Sequence, residues 1–440
     1  VSTDGGNVDR GLKRDIGLTG SAFLSFNGII GASIFITPGI LHRDFGAFAP
    51  WLFPLFGLLV LLIALPFARL AALFPNSGGP VAYTATFGPM AAFQVGWLYY
   101  LARIAALAAN ANVFADYAGA SWAPFSTMAG RMAVIAALVG ALTFVNIVGV
   151  KRAIRALDAL TLLKALPLVG LAIWGLSYAA EGVPPPGPPP PLSALEASAL
   201  VILYAFVGFE NSVVPAGETR DPGRTVPRAL IATIVVTAAL YFLVQLAYAA
   251  TMPAGPAPKA ALAAFAQTLI GPTGALVLGI TALASVAGNV SGSMTSTPRV
   301  TYALAAQGSL PRWFGAVSAR FATPANSILF MGLAGAVLAI SGSFLWLAIV
   351  STLARLVVYA ACIVALPKAR PGAASLLLAA AGLAVCAYAA AQSKWESWAM
   401  LAGALVVGVL LYALARRQAG SSSAATVSSI QPPPSTRSPS

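Results

Sequence analysis

The sequence predicts an all-α polytopic membrane protein: twelve transmembrane helices, arranged as two inverted five-helix units followed by two more. Three observations lead there. The 440 residues are 59% hydrophobic and 8% charged, with a mean hydropathy of +0.85, whereas soluble chains are roughly a quarter charged. Basic residues gather in alternate intervals between apolar runs. The first and sixth runs both lose helix propensity near their middles.

A spanning helix needs roughly 20 apolar residues. The first run, near 19–41, follows a polar lead (residues 1–18) with Arg10, Lys13 and Arg14; it is too long for a cleavable signal core and shows no small-residue cleavage site. The second, near 49–74, stops before Pro75. The third and fourth lie near 87–116 and 130–149, and Lys151, Arg152 and Arg155 precede the fifth, near 156–179. "PPPGPPPP" (Pro184 to Pro191) then forms a stiff, extended connector. The sixth and seventh runs lie near 197–217 and 228–251, parted by Arg220, Arg224 and Arg228. The eighth, near 273–305, is followed by Arg312 and Arg320. The last four lie near 326–342, 344–366, 373–391 and 396–415, with Lys368 and Arg370 between the second and third of these and Arg416 and Arg417 at the end. A twelve-helix domain thus covers 19–417, with repeat one at 19–179, repeat two at 197–366 and extra helices at 373–415. Residues 418–440, rich in Ser and Pro, are expected to be a disordered cytoplasmic tail.

The basic clusters all fall on one side, leaving Arg43, Arg131, Lys259 and Lys394 on the other. That bias puts both termini in the cytoplasm of a multi-pass plasma (inner) membrane protein. It also accounts for most of the net charge of +13 without nucleic acid. Two cysteines, Cys362 and Cys386, and one histidine, His42, are too few for a metal site or a disulfide framework. No metal, cofactor or catalytic residue is expected, and with no phosphate loop and His42 in the first outer loop, neither is an enzyme.

Few ionisable groups remain at membrane depth, where each is a functional candidate because burial there is expensive. Lys164 lies nine residues past Arg155, hence ~13 Å deep at ~1.5 Å per residue. Desolvation disfavours an ammonium, so a lysine there is a candidate for proton exchange; the blander reading is a structural ammonium. Glu210 is the acid near mid-membrane, either functional or an acceptor holding a broken helix in shape. Arg103 and Arg355 read as ties between helix carbonyls.

The interruptions of the first and sixth runs match. The first carries Gly28, Gly31 and Ser33; the sixth reads "YAFVGFENSVVPAGE", with Gly208, Glu210, Asn211, Ser212 and Pro215. These runs open successive five-helix units, and five is odd, so the second unit enters the membrane from the opposite side. Paired interruptions in such repeats point to a transport site. Unwound backbone frees N–H and C=O groups that lipid cannot satisfy. A half-helix N-terminus favours a carboxylate, and exposed carbonyls favour an ammonium. The alternative is that the glycines only permit close helix packing.

These stretches resemble the amino acid–polyamine–organocation (APC) superfamily of permeases, over nearly the whole chain from about Gly17 to Arg417. "GIIGASIFITPG" resembles its first-helix signature, "SGGPVAYTATFGPMAAFQVGW" its approach to the third helix and "TLLKALPLV" its fifth. "AFVGFENSVVPAGETRDPGRTVPRAL" resembles its sixth helix and following loop, and "TPRVTYALAAQGSLPRWF" the end of its eighth. The resemblance implies a leucine-transporter-type fold, five plus five inverted helices with two added, and a secondary carrier. It implies that Gly31, Ala32 and Ser33, flanked by Gly28 and Ile30, offer backbone to a substrate carboxylate. Phe206, Val207 and Gly208 offer carbonyls to an amino group, and Tyr204 closes over the substrate. Glu210 takes part in closure or proton effects, and Lys164 stands where other members bind sodium. Ser33 departs from the pattern, which has glycine at that position. The expected function is amino acid transport, sodium-independent, by proton symport or exchange, with neutral substrates favoured because no second mid-membrane acid is free. The substrate, protons and the bilayer are the expected partners. A carrier of polyamines or other amines, or a sensor or helper subunit that does not transport, are the alternatives.

Overall fold

The computed structural model describes residues 14–74, 78–149, 151–179, 182 and 185–428. Arg10, Lys13, Pro75, Pro184 and the tail from residue 429 lie outside them. Among the described residues the structure is helical, with one isolated backbone bridge and no strand.

The first run divides into α1 (Leu18–Ile29) and α2 (Ser33–Phe45), with residues 30–32 unwound. His42, expected in an outer loop, sits instead inside α2. It is buried, and its Nε2 is 3.1 Å from the Met252 carbonyl oxygen. A 3-10 turn (Gly46–Trp51) leads to α3 (Leu52–Leu73). A short α4 (Pro80–Thr84) precedes α5 (Pro89–Ser121). Both begin on proline, which fits a first turn because its missing N–H would be unpaired there anyway. In α6 (Met128–Val148) the Thr127 hydroxyl caps the N-terminus by accepting the Gly130 N–H at 3.1 Å. Next come α7 (Lys151–Tyr178) and α8 (Leu192–Tyr204). Pro191 has φ −61° and ψ 148°, polyproline values, and α8 starts immediately after it, earlier than the expected 197.

Similarly, α9 (Pro222–Thr251) starts on proline ahead of the expected 228. A short apolar helix that the sequence pattern does not announce follows, α10 (Ala261–Ile270). The eighth run splits at a proline into α11 (Pro272–Ser296) and α12 (Pro298–Ala306). The chain continues through α13 (Ala325–Ser341), α14 (Phe344–Ala369), α15 (Ala373–Ala391) and α16 (Trp395–Ser428). The last helix therefore runs past residue 417, into the segment expected to be disordered.

Nine helical stretches among the described residues are long and apolar enough to cross a membrane, one of them spanning Ser33–Leu73 as a unit. Lys164–Tyr178, Ala261–Ile270 and Ala325–Ser341 are apolar but shorter. Outward-facing apolar side chains such as Phe144, Leu377 and Val406 suit contact with lipid. Inside, α3 packs on α9, and α5 packs on α11 and α14. α5 is buried along most of its length, so its polar residues face protein. At the chain's start, Ile16 donates its N–H to the Glu218 carbonyl (3.0 Å) and accepts the Arg220 N–H (2.8 Å).

Candidate functional site

The α1–α2 interruption is held open by side chains from three other helices. Lys164 of α7 donates to the Ile30 carbonyl (2.7 Å) and to the Asn27 side-chain oxygen (2.5 Å), with the Asn27 carbonyl at 3.4 Å. Asn289 of α11 donates to the carbonyls of Asn27 (2.9 Å) and Gly28 (3.1 Å). Asn110 of α5 accepts the Ala32 N–H (2.8 Å) and donates to the Asn289 side-chain oxygen (3.2 Å). Backbone acceptors that a continuous helix would pair are thus met by an ammonium and an amide. Gly31 N–H turns back to the Ile29 carbonyl (2.9 Å), and Phe35 N–H to that of Ala32 (3.1 Å). The amides of Ser33 and Ile34, at the start of α2, have no partner among the described residues. The Ser33 side chain is buried, and nearby the Tyr241 hydroxyl of α9 donates to the Ile29 carbonyl (3.4 Å).

The second interruption follows α8. Residues 205–208 form turns, and Gly208 adopts φ +115°, ψ −5°. The carbonyls of Phe206 and Val207 receive no hydrogen bond from described residues, while that of Gly208 accepts the Asn211 N–H (3.1 Å). The two interruptions touch. A Cβ added to Gly28 would lie 2.6 Å from the Gly208 oxygen and collide with the Asn211 amide nitrogen. The packing alternative therefore holds at Gly28, where the close approach requires glycine. Ser25 adds a cross-link, its hydroxyl donating to the Phe209 carbonyl (2.7 Å).

Glu210 is fully buried and braces this turn. One carboxylate oxygen accepts the Gly208 N–H (3.0 Å) and the Tyr359 hydroxyl (2.8 Å). The other lies 3.3 Å from Nε of buried Arg355, out of line for a hydrogen bond, so the two form an ion pair. Arg355 also donates to the Ser351 hydroxyl (2.7 Å), and Arg103 donates to the Thr297 hydroxyl (3.3 Å). Both arginines thus engage side chains rather than the carbonyls expected of them.

Tyr204 ends α8 with its ring edge-on to Phe344 of α14, centroids 5.8 Å apart. A cavity of about 10 Å³ beside Phe206 and Val207 leaves room for no more than a water molecule. A cavity of about 410 Å³ opens where α2 and α5 end and α6 begins, and Phe344 is in its wall. The structure brings Gly28, Ile30, Gly31 and Lys164 together around one break, and Gly208 and Glu210 around the other. Asn27, Asn211 and Tyr359 complete the set; Asn211 belongs to the interruption noted in the sequence, while Tyr359 has no signal there. Asn27 stands in the run "SFNGIIGASIF", where a polar residue at membrane depth was the available clue.

The sequence profile of the amino acid permease family matches residues 16–415. The chain belongs to the amino acid permease family. This permease is 30% identical over 423 residues to an uncharacterized transporter of Mycobacterium tuberculosis (strain ATCC 25618 / H37Rv), covering 92% of each chain. It is 26% identical over 384 residues to the methylthioribose transporter of Bacillus subtilis (strain 168), covering 82% of this chain and 83% of that one. Among solved structures, MhsT in complex with L-phenylalanine matches with a TM-score of 0.61 at 13% identity, over 91% of this chain and all of MhsT. The permease is therefore a multi-pass membrane transporter with the fold of MhsT.

Proposed function

We propose that this permease carries neutral amino acids across the plasma membrane by alternating access, without sodium, as a proton symporter or an exchanger. The fold is read as twelve spans, five plus five inverted and two added, with both termini cytoplasmic. One observation carries the sodium-independent reading: the Lys164 ammonium occupies the carbonyl cage at the first break, with the Ile30 oxygen at 2.7 Å. A bound monovalent cation would satisfy the same oxygens.

The solute sits between the breaks. The free amides of Ser33 and Ile34 take its carboxylate, helped by the positive end of α2. The free carbonyls of Phe206 and Val207 take its ammonium. Gly31 and Ala32, whose amides are already committed, shape the wall instead. Tyr204 against Phe344 closes one side, and the Glu210–Arg355–Tyr359 brace holds the second break. Proton exchange at Lys164 would release Asn27 and Ile30, which links protonation to the geometry of α1 and α2.

Uptake into proteoliposomes, with and without a pH gradient, tests this for the wild type and Lys164→Ala. The wild type should need no sodium, and the variant should lose most uptake and its response to the gradient. Uptake that requires sodium, or a variant indistinguishable from the wild type, defeats the reading. The relationship to a methylthioribose transporter supports a second solute class, so competition should pit amino acids against methylthioribose and polyamines. Binding without flux would mark a sensor or helper subunit.

A further inference from the structure

The cavity of about 410 Å³ lies apart from both breaks, and a built set of charges marks it. Asn112 and Asp116 stand one turn apart on α5, and Arg131 of α6 reaches both. Arg131 donates to an Asp116 oxygen and to the Asn112 side-chain oxygen (2.5 Å), with the Asn112 carbonyl at 3.3 Å. Asn112 is itself fixed, donating to the carbonyls of Ala108 (3.1 Å) and Ala339 (3.0 Å). Arg131 is therefore pinned and its charge matched. Lys259 also lines the cavity, close enough to act electrostatically on Asp116, yet has no hydrogen bond or ion pair among the described residues. The second Asp116 oxygen accepts no hydrogen bond from described residues. The lining also includes apolar Ile36, Ile40 and Met132.

We infer that this cavity is an entry site that captures the zwitterionic solute before it reaches the helix breaks, a conclusion resting on the amino acid reading above. Lys259 takes the carboxylate, the open Asp116 oxygen takes the ammonium, and the apolar lining takes the side chain. The volume suits a small solute. Ile36 and Ile40 lie one and two turns beyond Ser33 on α2, so the captured solute rests on the helix whose start is the inner site. Tyr204 against Phe344 is the partition between the two places.

Initial-rate uptake into proteoliposomes tests this, across concentrations of whichever amino acid the uptake panel ranks first. Lys259→Ala should raise KM about two- to fivefold, the range one exposed ion pair supports, with little change in maximal rate. Lys259→Arg should restore KM, and Lys259→Glu should raise it further. Lys394→Ala, which removes an exposed cation away from the cavity, should leave KM alone. An unchanged KM in Lys259→Ala, a fallen maximal rate at constant KM, or an equal effect from Lys394→Ala overturns the capture site while leaving the substrate class standing. If no amino acid in the panel enters, the substrate class fails and the capture site fails with it.

Discussion

Gly208→Ala tests how tightly the two interruptions depend on each other. Gly208 has φ +115°, where an L side chain is strained by about 1–2 kcal/mol. Its new Cβ would also fall on the Gly28 carbonyl group and lie 2.9 Å from the Ile29 nitrogen. These are backbone atoms inside a packed core and cannot rotate away; overpacking of this kind costs ~1–3 kcal/mol. The sum is about 2–5 kcal/mol, set against roughly 1.4 kcal/mol per tenfold change in an equilibrium. Uptake should therefore fall by more than about tenfold, and the purified variant should melt several degrees lower in detergent. Gly140→Ala is the matched control. Nothing lies within 4 Å of its new Cβ, and alanine in mid-helix is favoured by up to ~1 kcal/mol. If Gly208→Ala melts and transports like the wild type, the close crossing of the breaks is not a constraint, and the account of the site fails with it.

Other consequences are open to measurement. Arg355→Gln leaves Glu210 buried without its counter-charge and should cost about 3–5 kcal/mol, much of it recovered in the double variant with Glu210→Gln; additive losses in thermal unfolding would show that the pair is not coupled. Asn110→Ala frees the Ala32 amide and breaks the link to Asn289, at about 1–3 kcal/mol for the groups left unpaired; KM should rise, and an unaltered KM would place Asn110 outside the site's support. Ser33→Gly puts the most flexible residue at the first position of α2, so stability should drop by less than about 1 kcal/mol while the ranking of substrates is preserved. A changed ranking in the uptake panel would show that the hydroxyl reaches the solute.

Both helix breaks were legible because glycine, serine and proline lower helix propensity where a lipid-facing helix would use leucine. Lys164 and Glu210 were legible because a charge at membrane depth needs a reason. Their partners were not. Asn27 and Tyr359 reach them from elements brought alongside only by tertiary packing, and nothing in local pattern predicts that. Asn110 and Asn289 stand in apolar runs of the sequence, but only the structure shows that they tie the first break to α5 and α11. The starts of α8 and α9 were missed because Pro191 and Pro222 look like helix breakers, whereas proline also opens a helix. α10 was missed because ten apolar residues are too few to register as a span.

The pairing of Ile16 with residues 218–220 has a consequence for leakage. A carrier leaks when its two barriers loosen independently and a continuous wet path forms for a moment. Here the segment entering α1 is stitched by two backbone hydrogen bonds to the segment leaving the second break. Near the chain's start, neither half can wander off alone, because drift in one breaks bonds in the other. At about 0.5–1.5 kcal/mol per bond, the pair adds roughly 1–3 kcal/mol of resistance to parting the approach to the first break from the exit of the second.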